Sequence, residues 1–191
     1  YAYYRRVLKA ARSADAILAL DPVSVGLPAM KAAKKAGKPF VVKIVGDYAW
    51  EQGQQRFGIK QNLDEFVNTK KVPFLVALLR RIQTRVARIA DRVIVPSLYL
   101  KEIVGKWGVP SDKIQVIYNT VPLEELGVVP EKISALPRPL VVTAGRLVPW
   151  KHMDGIIDAV AGNPDASLAI VGDGPLRVAL AHRAGEKLPG R

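Results

Sequence analysis

The sequence predicts an α/β fold with mainly parallel sheets, divided into two parts. Three observations point there. Short runs rich in β-branched residues alternate with helix-like segments along the 191 residues. A stretch holding Pro122, Pro130, Pro137 and Pro139 then interrupts the rhythm, because proline removes helix and ladder donors. After it the rhythm restarts. Strand–helix–strand alternation requires crossover connections, hence parallel strands with helices on both faces of each sheet.

The elements follow in order. Residues 14–20 (ADAILAL) read as a buried strand, and residues 28–35 as a helix closed by Gly37. Residues 39–45 (PFVVKIV) form a second strand that ends at Gly46-Asp47. Residues 51–71 are polar and weakly periodic, so they read as a mobile loop with room for one short helix. The clearest helix spans 73–90: Leu75, Leu79, Ile82, Val86 and Ile89 make one apolar stripe, flanked by Arg81, Arg85, Arg88 and Arg92. Residues 91–96 (DRVIVP) give a third strand. Ser97 is placed to cap a helix over 98–107, with Gly108 after its end. A turn at Ser111-Asp112 leads to a fourth strand at 113–118. Beyond the proline-rich linker, strands at 140–144 and 167–171 alternate with helices at 152–161 and 176–184.

Composition removes several function classes. There is no cysteine, so no disulfide framework or cysteine metal site exists. His152 and His182 are the only histidines, too few for a histidine-built metal centre. No run approaches the about 20 apolar residues of a membrane span; the apolar run at 72–79 stops at Arg80-Arg81. The start of the chain lacks the apolar run of a signal peptide. Phosphate-binding GxxxxGK[ST] and GxGxxG loops and the GxSxG elbow are absent. The net charge of +12 is uneven: residues 1–137 hold 22 Lys/Arg against 12 Asp/Glu, whereas 138–191 hold 7 against 5. A basic front half fits an anionic partner, either phosphate groups, acidic lipid or nucleic acid, or else a solvated basic face.

In open α/β sheets, ligands bind beyond the carboxyl ends of the strands, and three strand-end loops carry suggestive residues. In Gly145-Arg146-Leu147-Val148-Pro149-Trp150-Lys151, a glycine permits close approach and two cations stand beside a helix start. A guanidinium fork with an ammonium suits a diphosphate; a surface Arg and Lys flanking a turn is the plain alternative. In Gly172-Asp173-Gly174-Pro175, two glycines around an acid give a turn whose backbone can touch a ligand, or an ordinary turn before a proline-started helix. In Gly46-Asp47-Tyr48-Ala49-Trp50-Glu51, Asp47 suits a sugar hydroxyl and Trp50 an apolar sugar face, unless Trp50 anchors the loop.

The loop Gly145 to Lys151 with the helix after it resembles the G-R-L-x-x-x-K-G opening of the C-terminal domain in family-4 retaining glycosyltransferases. VGDGPLR at 171–177 resembles that family's next strand-end loop, and ADRVIVPS (90–97) and IQVIYNT (114–120) resemble the last strands of its N-terminal domain. These segments occur in family order and spacing. The resemblance implies two Rossmann-like parallel-sheet domains facing a cleft, the GT-B arrangement, both truncated here. Residues 1–121 would be part of the acceptor-side domain, 122–138 a linker, and 139–191 part of the donor-nucleotide domain. It implies transfer of a sugar from a UDP- or GDP-sugar to an acceptor hydroxyl with retention, in cell-surface glycan or glycolipid synthesis. Arg146 and Lys151 would hold the donor diphosphate and stabilise its departure, without a metal or other cofactor. Gly145, Gly172, Asp173 and Gly174 would lie near the nucleotide, and Ser97 and Asn119 on the acceptor side.

The sequence also departs from the family pattern. No histidine stands near the end of the second strand, where Asp47 is the replacement considered, and His152 occupies the place of the glycine after the motif lysine. The family's paired-glutamate segment and N-terminal glycine-rich loop are expected outside the 191 residues, so the chain alone is expected to be inactive. A cytoplasmic location is expected, with Arg81, Arg85, Arg88 and Arg92 facing an anionic membrane surface. The rival readings are a nucleic-acid binder, for which no recognition motif is present, and a non-catalytic remnant.

Overall fold

Residues 2–120 and 131–190 are described by the computed structural model of the chain, which divides into two units, Tyr1–Val121 and Pro122–Arg191. The first unit runs α1 (Ala2–Ala11), β1 (Ile17–Ala19), α2 (Gly26–Ala36), β2 (Phe40–Lys43), α3 (Tyr48–Arg56), α4 (Leu63–Asn68), α5 (Phe74–Ile89), β3 (Arg92–Val95), α6 (Leu98–Lys106) and β4 (Ile114–Val116). The second runs α7 (Glu131–Ser134), β5 (Leu140–Ala144), α8 (Met153–Ala161), β6 (Ser167–Val171) and α9 (Arg177–Lys187). Residues 122–130, most of the 122–138 stretch expected as a linker, lie outside the described residues; α7 follows them.

The sheet of the first unit has the order β1-β2-β3-β4, all parallel. One register row crosses it through Ala19, Val42, Val93 and Ile114, and all four side chains are buried. Each crossover steps to the next strand in the same direction. Right-handed crossovers taken in one direction place their helices on one face. The helices therefore cover one face, contrary to the sequence expectation of two, and the other exposes Leu18, Val45 and Ile117. The core comprises the β-branched strand residues together with Ala29, Met30 and Ala33 of α2, Val86 and Ala87 of α5, and Ile103 and Val104 of α6. Two expected helix ends are found. Gly37 closes α2 in the left-handed conformation, its N–H donating to the Ala33 carbonyl, and Ser97 Oγ accepts from the Leu100 N–H to open α6.

Three sequence expectations are corrected. Helix α1 was not anticipated; it packs on α2. The segment 51–71 is not the expected loop: the one short helix allowed for there is α4, and α3 runs into the segment as well. Asn62 and Glu65 form a reciprocal capping box at the start of α4, and Phe66 is fully buried beside Ala49 and Val76. Arg80 of α5 lies over the Phe66 ring, 4.0 Å from its centroid, and donates to the carbonyls of Phe66 and Thr69, closing the far end of α4. The buried side of α5 is also rotated from the expected stripe. It holds Val76, Gln83, Val86 and Ala87, while Leu75 and Ile89 face outward. The helix is wedged between α2 and α3, and the polar Gln83 is tolerated inside because both ends of its amide are bonded.

In the second unit, β5 and β6 pair in parallel from Leu140↔Ser167 to Ala144↔Val171. Met153, Ile157 and Val160 of α8 pack with Leu168, Leu180 and Leu188 to form its core. Asp158 of α8 binds two cations of α9: it pairs with the Arg183 guanidinium and, at 2.9 Å, with Lys187 Nζ.

Candidate functional site

The register of β5 on β6 brings the two expected loops of the second unit to the same carboxyl edge. They then bind each other. The Gly145 N–H donates to the Val171 carbonyl at 2.9 Å, the Leu147 N–H to the Asp173 carbonyl at 2.9 Å, and the Leu176 N–H to the Leu147 carbonyl at 3.1 Å. This contact explains the glycines. A Cβ at Gly172 would fall on the Gly145 carbonyl oxygen, and one at Gly174 would lie 2.5 Å from the Leu147 carbonyl oxygen. Both residues have positive φ, 156° and 159°. The close approach that sequence reasoning assigned to a ligand is used, at these two positions, by the neighbouring loop.

That loop pair presents charge outward. Arg146 and Lys151 are exposed, and among the described residues neither side chain has a hydrogen-bonding or ion-pairing partner. Asp173 is exposed, accepts from the Gly174 N–H at 2.8 Å, and stands 3.7 Å from Arg177. At Gly145 a Cβ would lie 3.4 Å from the Met153 methyl, an ordinary contact. A single turn of 3-10 helix, Pro149–Lys151, leads to His152, which has φ 48° and ψ 41°. The left-handed conformation there accounts for a glycine at the equivalent place in the resembling motif. A recess of about 290 Å³, lined in part by Leu147, Gly172, Arg177 and Leu180, adjoins both loops.

The carboxyl edge of the first unit departs further from expectation. Asp47, expected at a sugar hydroxyl, is 1% exposed. Its Oδ1 accepts from the Trp50 N–H and from Gln83 Nε2, each at 2.9 Å, so it caps α3 and ties that helix to α5. Burial raises its pKa, against the lowering effect of these bonds and of Arg80. Asp47 is therefore an internal cap, closed to a ligand. Trp50 takes the anchoring alternative: Nε1 donates to the Gln61 carbonyl at 2.9 Å, and the ring packs on the Phe66 cluster.

Ser97 is half-buried and engaged as the α6 cap. Asn119 is exposed beyond β4, and its Oδ1 accepts from Lys43 Nζ at 2.9 Å. Lys43, the last residue of β2, was missed in the sequence. A lone lysine inside an apolar strand run at a carboxyl edge was the available signal. Among the described residues, no three His, Asp or Glu side chains gather as a metal site would require. No helix among them is long and apolar enough to cross a membrane.

The profile of the family described as Glycosyltransferase Family 4 matches residues 1–125. No curated protein matches the chain. Among solved structures, Anabaena HepE in complex with UDP and glucose aligns with a TM-score of 0.71 at 20% identity, over 97% of this chain and 47% of HepE. The lipopolysaccharide outer core galactosyltransferase WaaB, in its apo form, gives 0.51 at 23% identity over 96% of this chain and 44% of its own. A point mutant of S. aureus TarM, in complex with UDP among other ligands, gives 0.55 at 16% identity over 85% and 29%. The chain thus spans about half the length of HepE and WaaB, and less of TarM. What they share with it is the fold: α/β units with parallel sheets, of the GT-B class.

Proposed function

This chain belongs to glycosyltransferase family 4, and from that premise we propose that its protein moves a sugar from a nucleoside-diphosphate sugar to an acceptor hydroxyl with retention. The observation that carries the reading is the outward pair Arg146 and Lys151, left without partners among the described residues at the carboxyl edge of β5. As the bond from sugar to diphosphate breaks, negative charge grows on the leaving phosphate. A guanidinium and an ammonium already in place lower that barrier without reorganising, and in this reading no metal is called on. Gly145, Gly172, Asp173 and Gly174 are the backbone nearest the donor. Ser97 and Asn119, joined by Lys43, belong to the acceptor side. HepE has been solved with UDP-glucose, so a UDP-sugar is the first donor to test, with GDP as the alternative. The acceptor is a glycan or lipid-linked sugar, met on the cytoplasmic face of a membrane by a peripheral protein.

Calorimetric titration of the 191-residue chain with UDP and with GDP tests the donor half. Arg146→Ala and Lys151→Ala should each weaken nucleotide binding about tenfold or more, the loss expected when a charged hydrogen bond is removed. Undiminished binding in both variants would remove the diphosphate role. Retention is tested on the full-length protein by the anomeric configuration of its product.

A further inference from the structure

We propose that the contiguous face of α1, α2 and α5 is a docking surface for an anionic lipid bilayer. This deepens the peripheral-membrane part of the reading above and rests on it, but its evidence is separate from the donor site. The first observation is charge segregation. Helices α1, α2 and α5 carry three, three and four Lys/Arg and no Asp or Glu. α1 packs on α2 and α2 on α5, so these cations share one region. The acids of the intervening helices, such as Glu51, Asp64 and Glu65, lie on α3 and α4.

The second observation is the shape of that region. A groove of about 360 Å³ between α2 and α5 is lined in part by Lys31, Lys34, Leu78, Arg81, Arg85 and Ile89. A second, of about 470 Å³, continues along α5 past Arg88. Among the described residues, no carboxylate lines either one. Lipid phosphates offer guanidinium groups the geometry they bind best.

The third observation selects the partner. Phe74 is 79% exposed, and Leu75, Leu78 and Ile89 are 50%, 43% and 47% exposed on the same helix. Phe74, Leu78, Arg81, Arg85, Arg88 and Ile89 follow one another at three- and four-residue steps or side by side, so apolar and basic groups share the outer side of α5. Nucleic acid would draw on the cations, with Phe74 free to stack on a base, but would leave Leu75, Leu78 and Ile89 in water. The interface of a bilayer accepts both: apolar side chains enter the acyl boundary while Lys and Arg remain at the headgroups. Phe74, at the start of α5, is the side chain to enter first.

Co-sedimentation of the 191-residue chain with vesicles tests this, using phosphatidylcholine alone or mixed with phosphatidylglycerol, in about 0.1 M salt. Binding should require phosphatidylglycerol. Arg81→Gln combined with Arg85→Gln should weaken it about 25-fold, from about fivefold per surface charge. Lys31→Gln with Lys34→Gln, on the neighbouring helix, should do likewise. Phe74→Ser should weaken binding several-fold, and that loss should persist in high salt. All these side chains are at the surface, so unchanged circular dichroism is expected. UDP affinity should also stay unchanged, which separates failure here from failure of the donor site. Equal binding to neutral vesicles, or wild-type binding by both charge variants, overturns the proposal. So does full vesicle binding by Phe74→Ser together with competition by single-stranded RNA, which would mark a phosphate-only, nucleic-acid surface.

Discussion

Gln83 Nε2 donates to Asp47 Oδ1 at 2.9 Å, and both side chains are sealed from water. The other end of the same amide, Oε1, accepts from the Ala49 N–H at 2.9 Å. One glutamine thus holds the start of α3 against the middle of α5. Gln83→Ala leaves a buried carboxylate short of a donor and an N–H without an acceptor, and should cost about 1–3 kcal/mol per orphaned group in urea unfolding. Asp47→Asn keeps an equivalent cap and removes the buried charge. Burial raises the folded pKa of Asp47 above its ordinary 3.8. Its contribution is therefore fully present below the unfolded pKa and lost as pH rises through the folded one. The stability of Asp47→Asn relative to the parent should improve across that rise, and unfolding free energies of both proteins at several pH values will check it.

His152 has φ 48° without being glycine. The left-handed conformation costs a side-chain-bearing residue about 1–2 kcal/mol, of which glycine's greater freedom when unfolded returns part. His152→Gly should stabilise the second unit by about 0.5–1 kcal/mol by this difference. His152→Val, β-branched in the same backbone, should destabilise it. Thermal unfolding of the two variants gives the sign.

Gly172→Ala and Gly174→Ala each place a methyl group inside the backbone of the facing loop. Each should cost at least about 2–3 kcal/mol, at the upper end for overpacking, and should loosen the Arg146 loop. Gly155→Ala is the control. Its Cβ would meet open space within α8, so that change should stabilise by about 0.5–1 kcal/mol. Amide hydrogen exchange at Leu147 reports the loosening directly.

Much of this was legible in the sequence, for identifiable reasons. Strands such as Phe40–Lys43 and Arg92–Val95 announce themselves through β-branched runs, and Gly37 and Ser97 mark helix ends through local chemistry. The place of α4 within 51–71 was not legible, because its support is tertiary. Arg80 is 14 residues from Phe66, whose carbonyl it caps. The outward rotation of Leu75 and Ile89 was hidden likewise, since an apolar stripe does not say which neighbour it meets or whether it meets one. At the site, the strand-end loops were visible as loops, but their use was not. An acid before a helix has the same sequence whether it binds a sugar or caps the helix, and Asp47 caps. Glycines before a turn look alike whether a ligand or a neighbouring strand-end approaches them.

The pairing of Asp158 with Arg183 and Lys187 holds its pKa down at about 2. A depressed folded pKa contributes stability that is present above the unfolded value of 3.8 and is lost as pH falls through the folded one. Between about pH 4 and pH 2 the parent should therefore lose stability more steeply than Asp158→Asn. The difference should vanish on approaching the acid end and be largest near neutrality, as followed by circular dichroism of the two proteins during acid titration.

The one-directional order β1-β2-β3-β4 has a consequence for how the chain is made. Every strand joins the outer edge left by the strand before it, and none has to slip between two that are already paired. As synthesis proceeds from the N-terminus, each newly emerged strand finds its template complete and its crossover helix already at hand. The sheet can lengthen in step with translation, one pairing at a time, with the longest wait at the β2-to-β3 step, where α3, α4 and α5 must emerge before Arg92 reaches the edge.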